Sequence, residues 1–152
     1  MIKDGLGPLM AGRSQLRKSS TPSLPKGVRF LIAHENLSLR KFIKGCLQSM
    51  GGSTILELVP TGNVLNTLVR EEGADVLIVN GEIREMREWN LVKSIRSHPK
   101  VNKMKVIVVS GNPDKGSILG AIQAGVDDYI ILPFSAVAFE DRIRTLFAKR
   151  SS

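Results

Sequence analysis

Two four-residue runs, Val76-Leu77-Ile78-Val79 and Val106-Ile107-Val108-Val109, contain no polar side chain. A strand that is apolar on both faces must be covered on both, which is the condition of central strands in a parallel sheet between helical layers. The rest of the chain supplies such layers. Val28–Ala33, Thr54–Leu58 and Tyr129–Ile131 are three further short strand candidates. Between the strands, apolar residues recur at helical steps. Leu39, Phe42, Ile43, Cys46, Leu47 and Met50 form one stripe, ended by Gly51-Gly52. Val64, Leu65, Leu68 and Val69 form a second, stopped at Gly73; Leu91, Val92 and Ile95 form a third. Ile118, Leu119 and Ile122 form a fourth, ended at Gly125, and Ser135 caps a last helix bearing Phe139, Ile143, Leu146 and Phe147. Five strand–helix units in alternation predict an α/β doubly wound sheet.

The 152 residues suit one domain, and no apolar run reaches the roughly 18 residues of a membrane span. A single cysteine, Cys46, excludes a disulfide scaffold, and with only His34 and His98 beside it the composition argues against a Cys/His zinc site. With no secretory leader pattern, the expectation is a cytoplasmic protein. The net charge is +8, and five of the 22 bases but one of the 14 acids fall within residues 1–27. Residues 1–26, rich in Gly, Pro and Ser, read as a flexible basic extension, and residues 27–150 as the folded domain. The basic balance would attract nucleic acid, acidic protein or anionic lipid; the simpler reading is a solvated tail.

In doubly wound sheets the ligand site lies beyond the carboxyl ends of the strands, where strand order reverses. The residues to weigh are therefore His34-Glu35, Asn80-Gly81, Ser110-Gly111 and Leu132-Pro133. The stretch Ala121-Ile122-Gln123-Ala124-Gly125-Val126-Asp127-Asp128-Tyr129-Ile130-Ile131-Leu132-Pro133-Phe134, with Gly62 and Asp75, resembles the receiver domain of two-component response regulators over residues 28–149. The spacing agrees: 45 residues from Glu35 to Asn80, 30 on to Ser110, 22 on to Leu132. The resemblance implies a CheY-like, flavodoxin-like (βα)5 fold with a five-stranded parallel sheet in the order 2-1-3-4-5.

Receiver chemistry requires a carboxylate nucleophile, an acid pair for Mg²⁺, a lysine against the phosphoryl charge and a hydroxyl to hydrogen-bond it. By this resemblance Asn80 stands at the phosphoacceptor position, His34 and Glu35 at the acid pair, and Leu132 at the lysine. Ser110 alone remains of the reacting set, and Ile83-Arg84 and Glu88 replace the family's Met-Pro and glycine in the following loop. One acid, with Glu82 as a further candidate, is little negative charge for Mg²⁺. The expectation is a degenerate pseudo-receiver: no enzyme, no metal site, no cofactor, signalling by protein–protein contact.

Other readings accompany this one. Asn80-Gly81 reads as a tight turn, since both residue types tolerate left-handed backbone, or as a site of succinimide formation and deamidation. His34 reads as filler of a vacated acid pocket, or as a pH sensor. Ser110 and Tyr129 match the family's switch pair. Ile118, Tyr129 and Val137 are candidates for a partner or homodimer surface on the fourth helix–fifth strand–fifth helix face. The peptide bond before Pro133, often cis in the family, is open to either form. With the sequence ending at Ser152, output is expected through binding. The alternatives are a phosphorelay receiver using Glu82 or His34 as acceptor, and a nucleic-acid or acidic-surface binder led by the basic tail.

Overall fold

The computed structural model describes residues 24–71, 74–111 and 114–148. The expected extension over 1–26 and the end of the 27–150 domain therefore lie largely outside the described residues. In chain order the elements are β1 (Arg29–Ala33), α1 (Leu37–Ser49), β2 (Thr54–Leu58), α2 (Val64–Arg70) and β3 (Val76–Asn80). A 3₁₀ segment (Arg84–Trp89) and α3 (Asn90–Ser97) follow, then β4 (Lys105–Ser110), α4 (Lys115–Ala124), β5 (Asp128–Ile131) and α5 (Ala136–Ala148). All strand pairs are parallel, in the order β2-β1-β3-β4-β5. The flavodoxin-like topology is the one the resemblance implies.

The apolar quartets lie in the two strands at the middle of this sheet, and each contributes side chains to both faces. On one face Phe30, Ile32, Val76, Ile78, Ile107 and Val109 pack with Ile43 and Leu47 of α1 and with Phe139, Ile143 and Leu146 of α5. On the other, Leu31, Leu77, Val79, Val106 and Val108 pack with Val64 and Leu68 of α2 and with Leu91, Val92 and Ile95 of α3. Cys46 sits in the first layer, where burial pushes its thiol pKa up, so it packs as a small apolar group.

Local signals explain the helix ends. The Asn36 side chain accepts the Leu39 N–H at 2.9 Å and caps α1. Asp114 does the same for Ser117 at 3.0 Å in α4, and the Ser135 hydroxyl accepts from Ala138 N–H at the start of α5. Arg142 of α5 donates to the Asp128 carboxylate, 2.7 Å from its Nε, which fastens the last helix to the edge strand. The 3₁₀ segment was not expected from periodicity. Its Glu88 and Trp89 both adopt positive φ, 52° and 59°. Glu88 therefore holds a left-handed conformation, which costs a side-chain-bearing residue about 1 kcal/mol, where the resemblance places a glycine.

Candidate functional site

Strand order reverses between β1 and β3, and the carboxyl ends of β1, β3 and β4 bring His34, Glu35, Asn80 and Ser110 to one edge. Each side chain there is committed to a neighbour. Asn80 is 3% exposed, and its Nδ2 donates to both Glu35 oxygens, at 2.8 and 3.0 Å. Its Oδ1 accepts the Glu82 N–H at 3.0 Å. Glu82 then turns back over β4: one carboxylate oxygen accepts from the Ser110 hydroxyl at 2.7 Å and from the Gly111 N–H at 3.1 Å.

Glu35 stays ionised below the usual carboxylate range. Burial pushes its pKa up, but the Asn80 amide, its own backbone N–H and His34 together outweigh that. His34, 8% exposed, is shifted the other way from a sensor poised at neutrality. Burial lowers its pKa most and Arg40 adds to that, against the opposing pull of Glu35 and Glu82. Its Nδ1 accepts the Asn36 N–H at 3.0 Å, which requires that nitrogen unprotonated, and lies 3.7 Å from Glu35. The Arg40 guanidinium donates to the His34 carbonyl at 2.7 Å and reaches Glu57 at 3.2 Å.

Below pH 6.5 but above the folded pKa, the unfolded chain takes up a proton at His34 that the native chain refuses. Stability therefore falls on acidification through that window. Wild-type protein is expected to lose more thermal stability than His34→Gln between about pH 7.5 and about pH 5.5. Equal losses would refute the assignment; Glu35 does not contribute there, since its pKa is depressed.

Gly81 meets the turn expectation by a different route. The chain does turn at Gly81-Glu82, with the Glu82 N–H bonded to the Asn80 side chain, but without the positive φ that glycine permits. The Gly81 N–H continues the sheet by donating to the Val109 carbonyl at 3.0 Å. Glycine is needed for space: a Cβ there would sit 2.7 Å from the Val108 Cγ1. The Gly81 nitrogen is held in the sheet and the Asn80 amide on Glu35, which opposes the approach that forms a succinimide.

Leu132 is half-buried and packs against the α1/α5 layer, and the Leu132–Pro133 bond is cis. Of the three surface candidates only Val137 is fully exposed, at 60%. Ile118 is half-buried, whereas its neighbours Leu119 and Ile122, one helical turn apart, are 57% and 61% exposed. Tyr129 is half-buried against the α2/α3 layer, its ring edge-on to Trp89 at 6.3 Å between centroids. The Ser110 hydroxyl donates to Glu82, and the Tyr129 ring lies against Trp89. The role of Glu82 as a bridge to Ser110 was missed in the sequence, where it stood only as a candidate ligand or acceptor. Its position two residues past a strand end, level with the next strand's hydroxyl, is the signal that could have found it.

Among the described residues no group of three or more His, Cys, Asp or Glu side chains is placed to hold a metal ion, and no helix is long and apolar enough to cross a membrane. The magnesium that the fold family implies meets one carboxylate bonded to an amide and another bonded to a hydroxyl and an N–H. Those donors hold both Glu35 oxygens and one oxygen of Glu82, and with an amide at position 80 the residues present do not fit a hard cation that needs several carboxylate oxygens.

A five-stranded 2-1-3-4-5 sheet with polar residues at its switch point is the flavodoxin-like architecture that receiver domains share. The family model of the response regulator receiver domain matches residues 30–144, and the chain belongs to that family. It is 27% identical over 124 residues to a chemotaxis protein CheY homolog of Campylobacter jejuni, covering 82% of this chain and 95% of that protein. A response regulator from Thermotoga maritima superposes with a TM-score of 0.68 at 24% identity, covering 80% of this chain and 99% of that one. A signal receiver domain of a two-component histidine kinase from Clostridium thermocellum does so with 0.69 at 17%, covering 80% and 98%.

Proposed function

We propose that this chain is a receiver module of a signal-transduction system that works without aspartyl phosphorylation, as a binding partner rather than an enzyme. The observation that carries this is the closed hydrogen-bond set Glu35–Asn80–Glu82–Ser110. At the acceptor position stands an amide, which cannot form an acyl phosphate. The two donors suited to an anion at the end of β4, the Ser110 hydroxyl and the Gly111 N–H, hold the Glu82 carboxylate. Where a lysine would neutralise charge, Leu132 extends the core. In this reading residues 27–150 form the receiver and residues 1–26 an appended basic segment. The partner or second receiver docks on α4, β5 and α5, where Tyr129 and Val137 lie, with Ile118 beneath the exposed Leu119 and Ile122.

The test is incubation with Mg²⁺ and acetyl phosphate, and separately with beryllofluoride, followed by intact-mass and amide-shift measurements. No adduct and no shift are expected. A stoichiometric adduct overturns the reading, and peptide mapping to Glu82 or His34 would establish a phosphorelay receiver with an unusual acceptor instead.

A further inference from the structure

The opposite pole of the sheet, at the amino ends of the strands, carries a different chemistry. Two neighbouring clefts of about 470 and 460 Å³ share Asp75 and Lys103 in their walls. Their basic residues are Lys26, Arg29, Lys100, Lys103 and Lys105; Asp75 is the one acid among the lining residues. That acid is already engaged, accepting the Arg29 N–H at 2.8 Å. None of the four lysines is paired with a carboxylate among the described residues, whereas Lys41 and Lys44, on α1, both reach Glu57.

The bases are also held in place. The turn bearing Lys100 and Lys103 is tied by Arg96, whose Nη1 donates to the carbonyls of Asn102, at 3.0 Å, and Met104. The Lys100 N–H donates to His98 Nδ1 at 3.1 Å. Arg29 is anchored through its guanidinium on the Glu71 carbonyl. Positive charge mounted on a fixed backbone loses less entropy on binding than charge on a mobile segment.

We propose that this amino-end cleft is a binding site for the phosphodiester backbone of nucleic acid, independent of the receiver reading above. The choice over an acidic protein segment follows from what the cleft lacks. Protein partners take most of their affinity from buried apolar anchors. The large apolar side chains in the walls, Val28, Val101, Met104 and Phe147, are buried or half-buried in the core, and the exposed ones, Leu119, Ile122 and Val137 among them, line neither cleft. Binding by charge alone, through release of condensed counterions, is what a phosphate backbone supplies. The scarcity of aromatic side chains, 5% of the sequence, fits contact with phosphates rather than stacking on bases. The chain also enters the domain here, since Pro25, Lys26 and Gly27 line the second cleft.

The experiment is fluorescence anisotropy of the full chain with a labelled mixed-sequence DNA duplex of about 30 base pairs, between roughly 50 and 200 mM salt. Binding is expected to weaken steeply with salt. Lys100→Glu with Lys103→Glu is expected to lower affinity at least ~10-fold and to flatten the salt slope by about 2. Lys93→Glu with Lys115→Glu makes the same change of charge outside the clefts and is expected to have a much smaller effect. A polyglutamate peptide is expected not to displace the duplex. Circular dichroism of both double variants checks that they fold. No binding by wild type, equal losses in the two double variants, or an unchanged affinity in Lys100→Glu/Lys103→Glu would overturn the proposal. Displacement by polyglutamate would overturn it in favour of an acidic protein segment.

Discussion

Replacing Asn80 by aspartate is expected to destabilise the domain by about 2–4 kcal/mol at neutral pH, the cost of leaving a buried polar partner opposed rather than bonded. The change substitutes an oxygen for the Nδ2 that now donates to Glu35 at 2.8 and 3.0 Å. Two carboxylates would then face each other, one of them at a position that is 3% exposed. Either both ionise and repel, or one holds a proton at neutral pH. The side chain of Glu35 is 59% exposed and can swing toward water, but that leaves the new carboxylate buried without its partner. Millimolar Mg²⁺ is expected to restore much of the loss, because a hard cation bridges two such carboxylates and binds only the folded state. Thermal melts of wild type and Asn80→Asp, each with and without Mg²⁺, decide this. A variant as stable as wild type and indifferent to Mg²⁺ would show that Asn80 and Glu35 are not the coupled pair described.

The layers of this fold were legible because burial acts on whole faces. Val76–Val79 and Val106–Val109 could only be central strands, and the spacing of Ile43 and Leu47, or Phe139 and Ile143, could only be one side of a helix. Strand order is not written in periodicity; it came through the resemblance carried by Ala121–Phe134. The site was legible as a set of positions, since a strand end fixes where His34, Asn80 and Ser110 must lie. Its wiring was not. Whether Glu82 faces solvent or folds back on Ser110 depends on rotamers and on a free N–H at Gly111, neither of which composition encodes. The 3₁₀ segment escaped because its Glu88 and Trp89 conformations run against local preference and are sustained by tertiary contact, Trp89 lying edge-on to Tyr129. Gly81 misled only in its reason. Asn-Gly signals a turn by its backbone freedom; the turn is there, but this glycine serves the close approach to the Val108 side chain.

Arg96→Met is expected to cost about 2–4 kcal/mol, because several charge-assisted bonds end on this one guanidinium. Nε and Nη2 donate to the Gly125 carbonyl at 3.0 and 2.7 Å, Nη1 to the carbonyls of Asn102 and Met104, and Nη2 pairs with Asp127 at 2.9 Å. Asp127 in turn accepts the Val106 N–H at 2.7 Å. One side chain thus joins the turn before β4 to the turn before β5. Gly125 is matched to it twice over: its φ of 107° closes α4, and a Cβ there would lie 3.1 Å from the Arg96 Nε. Methionine preserves the apolar stem and removes every donor, so the carbonyls it abandons must find water or stay unpaired. Lysine at the same position is expected to recover only part of the loss, since a single ammonium cannot span carbonyls on two turns. Urea unfolding with an unchanged m-value reads the cost directly. Hydrogen exchange should quicken at Val101 and Met104, whose N–H groups bond within the freed turn. A loss below about 1 kcal/mol would mean that the turns hold themselves, and that Lys100 and Lys103 are positioned without Arg96.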